Sequence, residues 1–238
     1  MPTESSYADR LGRAQFMQGT IALFTPAFAP ADATLTAAGF AGFCSTVETA
    51  CDQTAVALDA WRTVVKERQD LVKELKATAT RVIAYLNSSA AFAGALRNAK
   101  AAADKLRGIK PRAPKAPEPA PGSPAAKPRN SGDLSYADIE KHFKVLINAV
   151  TGLAGYAPVP AGNPITLANL NATLSAYKGK NSALIILEST WRDKVDQRSA
   201  KFDAPGGLRE KMKAIKNAAK AQYGQASSQY SQVKNIKL

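Results

Sequence analysis

Apolar residues along this chain recur every three or four positions, the period of an α-helix rather than the alternation of a strand. Downstream of Ser135, a capping residue, the pattern runs through Ile139, Phe143, Leu146, Ile147 and Val150. A proline-marked loop, 156–165, follows. Thr166 can then cap a long helix with seam positions Leu167, Leu170, Leu174, Tyr177, Asn181, Leu184, Glu188, Trp191, Val195, Arg198 and Phe202. The run Asp203-Ala204-Pro205-Gly206-Gly207 ends that helix, and a basic helix is expected from Leu208 to Tyr223. The N-terminal half repeats the plan: a helix opening at Ser6, a proline-marked loop 24–33, then Thr34 as the next cap. Its seam holds phase through Phe40, Cys44, Val47, Cys51, Thr54, Leu58, Trp61, Val65, Arg68, Val72, Leu75, Ala79, Val82 and Leu86, with no Gly or Pro between Gly42 and Gly94. Unbroken, that stretch is a rod on the order of 65 Å long at 1.5 Å per residue; the alternative is a turn near Arg68 to Leu71.

The two halves look like copies. Ser6-Tyr7-Ala8-Asp9 returns as Ser135-Tyr136-Ala137-Asp138, Phe24-Thr25-Pro26 as Tyr156-Ala157-Pro158, and Thr34-Leu35 as Thr166-Leu167. Trp61-Arg62 with Val65 and Arg68 returns as Trp191-Arg192 with Val195 and Arg198, and Ile109-Lys110 as Ile236-Lys237. The order is kept and the offsets drift by only a few residues, as a duplication with small insertions requires. Between the copies, seven of the 14 prolines fall from Pro111 to Pro128, mixed with Ala, Lys and Arg, which neither a helix nor a sheet accommodates. The expected fold is therefore all-α: two tandem helical-bundle repeats of about three helices each, 1–110 and 133–238, joined by a Pro/Ala/Lys-rich linker, 111–132.

Composition narrows the chemistry. Alanine supplies 46 of 238 residues, in keeping with helices. There is one His and there are two Cys, too few for a structural zinc site or a disulfide framework. Cys44 and Cys51 lie two turns apart on the apolar stripe and read as small buried hydrophobes. His142, between Lys141 and Phe143 with Lys144 beyond, reads as a solvated surface residue. Gly206-Gly207 lacks the flanks of a phosphate loop. Acidic residues stand near Lys or Arg on helical faces, as in Lys66, Glu67, Asp70, Lys73 and Glu74, rather than in convergent pairs. The expectation is no enzyme: no catalytic residue, no metal and no cofactor. Arg68 and Arg198 fall on the seam and read as structural contacts.

The net charge of +13 is uneven. Residues 201–238 hold eight basic and two acidic side chains. Lys115, Lys127 and Arg129 of the linker, with Arg209, Lys211, Lys213, Lys216 and Lys220 of the last helix, are the candidate contacts to nucleic acid or another anion. Conversely, 145–177 contains no charged residue and 14–47 only Asp32, a pattern expected of surfaces buried against the other half or against a second copy. Phe24, Phe28, Tyr156, Trp61 and Trp191 are the candidate packing or assembly contacts. The expected function is a non-enzymatic structural protein that self-associates, as a scaffold or filament subunit; the alternative is a basic nucleic-acid-binding protein using the linker and the C-terminal helix. The polar N-terminus lacks a secretory pattern, so the expected address is cytoplasmic, with export by a signal-independent route left open. No run is apolar enough to predict a membrane span.

The assembled pattern resembles an uncharacterised family of small, duplicated helical proteins of Bacteroidota-type bacteria. The resemblance rests on Ser-Tyr-x-Asp, the aromatic-x-Pro loop, the Thr-Leu opening of a long helix and the two half-endings. The first ending is Leu71-Val72-Lys73-Glu74-Leu75, Thr80-Arg81-Val82 and Lys105-Leu106-Arg107-Gly108. The second is Tyr223-Gly224, Ser227-Ser228-Gln229-Tyr230 and Gln232-Val233-Lys234. It covers nearly the whole chain outside the linker. It implies an all-helical fold and a bacterial origin, and supplies no catalytic residue.

Overall fold

In the computed structural model, residues 4–109, 135–160 and 162–237 are described. All regular structure among them is helical: α1 (Glu4–Ala22), α2 (Ala37–Asn87), α3 (Ala93–Arg107), α4 (Tyr136–Val150), α5 (Leu167–Asp203), α6 (Leu208–Tyr223) and α7 (Ser228–Lys234), with single 3₁₀ turns at Ala33–Leu35 and Ala90–Phe92. Helix α2 settles the choice between rod and hairpin. It is one helix of 51 residues, because nothing between Gly42 and Gly94 interrupts its hydrogen-bond ladder. Helix α5 ends at Asp203 and α6 spans Leu208–Tyr223, both as expected.

The caps show where local sequence reading goes astray. Ser135 caps α4 as expected, its hydroxyl accepting from the Asp138 N–H. Ser6, by contrast, lies inside α1, which starts at Glu4. Thr34 is not the cap of α2 either; it sits in the 3₁₀ turn, and Thr36 Oγ1 accepts from Gly39 N–H at 3.1 Å. Asp32 instead accepts from Thr34 N–H and caps the short turn, and hydrogen bonding to the Thr34 side chain, then to its N–H, holds the carboxyl below the usual range. Gly39 is required here, since a Cβ would strike the Ala33 carbonyl and the Thr34 backbone.

The described chain divides into two compact units, each drawing on both sides of the proline-rich interval. One comprises Met1–Arg62 and Ile186–Leu238, with α1, the first half of α2, the end of α5, α6 and α7. Its core gathers Leu11, Met17 and Ile21 from α1, Phe40, Cys44 and Val47 from α2, Phe202 from α5, and Met212 and Ile215 from α6. Side chains of α6 and α7 fasten the loop after α1: Tyr223 donates to Pro26 O at 2.7 Å, Gln222 donates to Ala27 O at 2.8 Å, and Gln229 donates to Thr25 O at 2.9 Å. On α5, Arg198 is 4% exposed and lies 4.3 Å from the Tyr7 ring, which meets Phe202 edge-on at 4.8 Å.

The other unit, Thr63–Ile185, packs the second half of α2, α3, α4 and the first half of α5 around Leu75, Val82, Leu86, Leu106, Phe143, Leu146, Leu170 and Tyr177. Tyr177 donates to Tyr136 O at 3.0 Å, and Arg68 stands 3.3 Å over the Tyr136 ring. Its α3 faces the core with Ala99, Ala102 and Ala103, whose small side chains leave room for a neighbouring helix to come close. That explains a correction: His142 is not a solvated surface residue but only 7% exposed, on the buried stripe of α4.

Candidate functional site

In the first unit, α2 and α5 pack against each other beyond the bundle core. Trp61 stacks on Trp191 with ring centres 5.6 Å apart and planes 16° from parallel. Thr54, 1% exposed, shares its one hydroxyl proton between Ala50 O of its own helix and Lys194 O of α5, the second contact joining the two helices. Beside this seam lies an open groove of about 430 Å³, lined mainly by Asp52, Val56 and Ala57 of α2 and Leu187, Thr190 and Lys194 of α5. Val56 is 70% exposed, and Ile186, which precedes Leu187 in sequence, is 66% exposed. Solvated aliphatic side chains beside a groove are a feature of contact surfaces rather than of a closed core.

One rim of the groove is acidic. From 14 to 61 the sequence contains Asp32, Glu48, Asp52 and Asp59 and no Lys or Arg. Glu48, Asp52 and Asp59 are exposed. At 100° per residue their offsets of four and eleven positions place them within about 40° of one another, on a single face of α2. Among the described residues, Glu48 and Asp52 join no ion pair; Asp59 stands 4.0 Å from Arg62.

Helix α6 carries the opposite sign, but its five candidate cations do not act together. Lys211 turns inward, donating to Thr34 Oγ1 at 3.0 Å and lying 5.1 Å from the Phe43 ring. Lys216 donates to the carbonyls of Lys234 and Ile236 at the end of α7, and burial lowers the pKa of its ammonium. Arg209, Lys213 and Lys220 remain exposed. Their spacing, four and eleven, is the same as that of the acidic stripe. Lys115, Lys127 and Arg129 lie outside the described residues.

The aromatic candidates are in packing contacts. Phe24 and Phe28 are 7% and 8% exposed and meet edge to face. Tyr156 donates to Ile165 O at 2.6 Å and meets Tyr85 edge-on, and burial pushes its hydroxyl up to about 12. Trp61 and Trp191 face each other. Sequence reasoning missed Val56, Ile186 and the acidic stripe, although the run without a basic residue was visible in the sequence. Among the described residues no group of three His, Cys, Asp or Glu could hold a metal ion, and no helix is long and apolar enough to cross a membrane. No protein-family model matches this chain, and neither curated proteins nor solved structures provide a match.

Proposed function

We propose that this chain is a non-enzymatic structural protein that self-associates, the acidic face of α2 in one copy receiving the basic face of α6 in another. The matched spacing carries the reading. Glu48, Asp52 and Asp59 repeat at the intervals of Arg209, Lys213 and Lys220, so two helices laid parallel bring all three charge pairs opposite one another. The apolar side chains beside the acidic stripe give the contact an area to remove from water. The two faces are different surfaces of one molecule, so the pairing made once at each junction is heterologous and builds a chain of subunits or a ring, whereas the pairing made reciprocally about a two-fold axis closes a dimer.

We also infer that the chain is a duplication of one helical repeat. Tyr7 with Arg198 and Tyr136 with Arg68 make the same contact at offsets of 129 and 130. Asp32 to Thr34 N–H and Asn163 to Ile165 N–H cap the turn before each long helix at an offset of 131. Thr36 and Thr166 cap those helices at an offset of 130.

Sedimentation velocity across protein concentration and salt tests the assembly. Species larger than the monomer are expected at low salt and are expected to dissociate as salt screens the pairs. Reversing the acidic stripe (Glu48→Lys, Asp52→Lys, Asp59→Lys) should leave a monomer. Mixing that variant with Arg209→Glu, Lys213→Glu, Lys220→Glu should restore association. A chain that stays monomeric at low salt and high concentration, or association that the acidic reversal leaves unchanged, refutes the reading.

A further inference from the structure

Helix α1 is apolar on two sides. Its inner side, with Leu11, Ala14, Met17 and Ile21, lies in the core of the first unit. Its outer side carries Gly12, Phe16, Gly19 and, in the turn that closes the helix, Leu23. At 100° per residue these four fall within about 60° of one another. Phe16 is 67% exposed and Leu23 is 84% exposed. No residue from 14 to 31 is charged. The charges that border the face are already matched, Arg10 by Asp203 and Arg13 by Asp9.

Helix α4 shows what such a face holds when it meets water. Shifted by 129, the offset of the Ser-Tyr-x-Asp repeat, Gly12, Gln15, Phe16, Gly19 and Leu23 become Lys141, Lys144, Val145, Asn148 and Gly152, and every one of these positions is exposed in both helices. On α4 they bear two ammonium groups and an amide; on α1 they bear no charge and two large apolar side chains. The glycines are a second anomaly. Glycine is a poor helix former, yet Gly12 and Gly19 have no positive φ, and a Cβ at either would meet nothing within 4 Å. Nothing inside the chain requires glycine there, whereas a backbone approaching from outside would.

The spacing identifies the approaching surface. Phe16 and Leu23 are seven residues apart, and so are Gly12 and Gly19. In an antiparallel pair of α1 helices centred between Met17 and Gln18, Phe16 of each copy lies opposite Gly19 of the other, and Leu23 opposite Gly12. The large side chains then alternate between the two helices, each against a position with no side chain. A lipid surface offers no such match, and there is no Lys or Arg from 14 to 61 to meet its headgroups.

We propose that the outer face of α1 is an isologous contact between two copies of this chain, in which Phe16 and Leu23 of each pack over Gly19 and Gly12 of the other. The contact does not rest on the pairing of α2 with α6. A phenylalanine side chain buries on the order of 200 Å², so the four exposed side chains remove about 600 Å² from water, half of the roughly 1,200 Å² at which stable interfaces begin. The dimer is therefore weak, with a dissociation constant on the order of 100 µM, and stays unpopulated in micromolar protein.

Sedimentation equilibrium of the full chain at several hundred micromolar tests it, in about 0.5 M sodium chloride, where ion pairs are screened and an apolar contact persists. A monomer–dimer equilibrium is expected. Phe16→Gln/Leu23→Gln should weaken it about tenfold or more, and so should Gly19→Phe, which sets Phe against Phe. Phe16→Gly/Gly19→Phe exchanges the large and the vacant position and should restore the dimer. Circular dichroism should show each variant as helical as the parent, because these positions face away from the core. A monomer throughout in high salt overturns the contact and leaves the charged pairing of α2 with α6 standing. A dimer that persists both in high salt and in Glu48→Lys/Asp52→Lys/Asp59→Lys supports the α1 contact even where the charged pairing fails. A dimer unchanged in Phe16→Gln/Leu23→Gln, or not restored by the exchanged pair, overturns it. So does binding to vesicles of phosphatidylcholine and phosphatidylglycerol that requires Phe16 and Leu23 while the chain stays monomeric, an outcome that assigns the face to lipid.

Discussion

The two arginine-on-tyrosine contacts offer a measurement in which burial and distance pull in opposite directions. Arg68 approaches Tyr136 to 3.3 Å and Arg198 approaches Tyr7 to 4.3 Å, so distance alone ranks the first contact stronger. Tyr136, however, is 40% exposed, whereas Arg198 and Tyr7 are each 4% exposed. Water screens the field of a ring quadrupole, and a cation–π contact is worth roughly 0.5–1 kcal/mol at an exposed site but about 2 kcal/mol when desolvated. Screening should win. A double-mutant cycle of Tyr7→Leu and Arg198→Met should give a coupling of about 2 kcal/mol, and one of Tyr136→Leu and Arg68→Met less than about 1 kcal/mol. Both variants keep an apolar stem in place, so the cycle removes terms the pair does not share. Urea unfolding supplies the free energies. Trp61 and Trp191 both belong to the first unit, so tryptophan emission reports the first cycle selectively, and far-UV circular dichroism reports the second. A larger coupling for Arg68 with Tyr136, or couplings below about 0.5 kcal/mol in both cycles, would show that the contacts are incidental to packing.

Two further outcomes follow from single side chains. Cys44 is buried, and desolvation followed by the charge of Glu48 pushes its thiol from 9.0 up to about 11. Between those values the unfolded chain releases its proton first, so stability should fall as pH rises from about 9 to about 11; Cys44→Ala should flatten that slope, and an equally steep fall in the variant refutes the assignment. Replacing Lys216 by Met removes the donor to the Lys234 and Ile236 carbonyls and should cost about 1 kcal/mol locally, after allowance for solvent screening. Hydrogen exchange should then quicken in 233–237 and remain unchanged in α3, whereas uniform quickening would contradict a local role.

Helix boundaries set by breakers were legible because the breaker acts within a residue or two: Pro205 and Gly206 stop α5, and the absence of Gly and Pro keeps α2 whole. Caps were less legible. Thr34 and Thr36 are both competent acceptors at the start of α2, and the choice between them falls to the 3₁₀ turn that Asp32 stabilises, which the hydrophobic period does not encode. His142 was misread for a related reason. Lys141 and Lys144 beside it suggest a wet face, but exposure there is decided by α3, where Ala99, Ala102 and Ala103 permit a close approach. The lysines of α6 show the same limit from the other side. Five cations within one helix look like one patch, yet Lys211 and Lys216 have internal acceptors elsewhere in the unit. Composition counts charges; tertiary structure decides which of them remain available.

The division into units has a consequence for cutting the chain. Halves separated in the proline-rich interval would each retain whole helices, and a tandem-domain reading predicts that 1–110 and 133–238 fold independently. Each of the two cores, however, draws side chains from both halves. Met17, Phe40 and Val47 of the first half pack in one cluster with Phe202, Met212 and Ile215 of the second. Leu75, Val82 and Leu86 share the other cluster with Phe143, Leu146 and Leu170. Each isolated half would therefore expose apolar stripes on both of its long-helix segments, at about 1.5–3 kcal/mol for every large side chain left uncovered. That loss exceeds the whole stability of an ordinary domain after only a few residues. Alone, the fragments should show low, non-cooperative helicity by circular dichroism or should associate with themselves. Mixed in equal amounts, they should recover a cooperative melt and the stacked Trp61–Trp191 environment, with submicromolar affinity as befits a divided core. Two fragments that melt cooperatively as monomers, with no change on mixing, would establish independent repeats and remove the shared-core account.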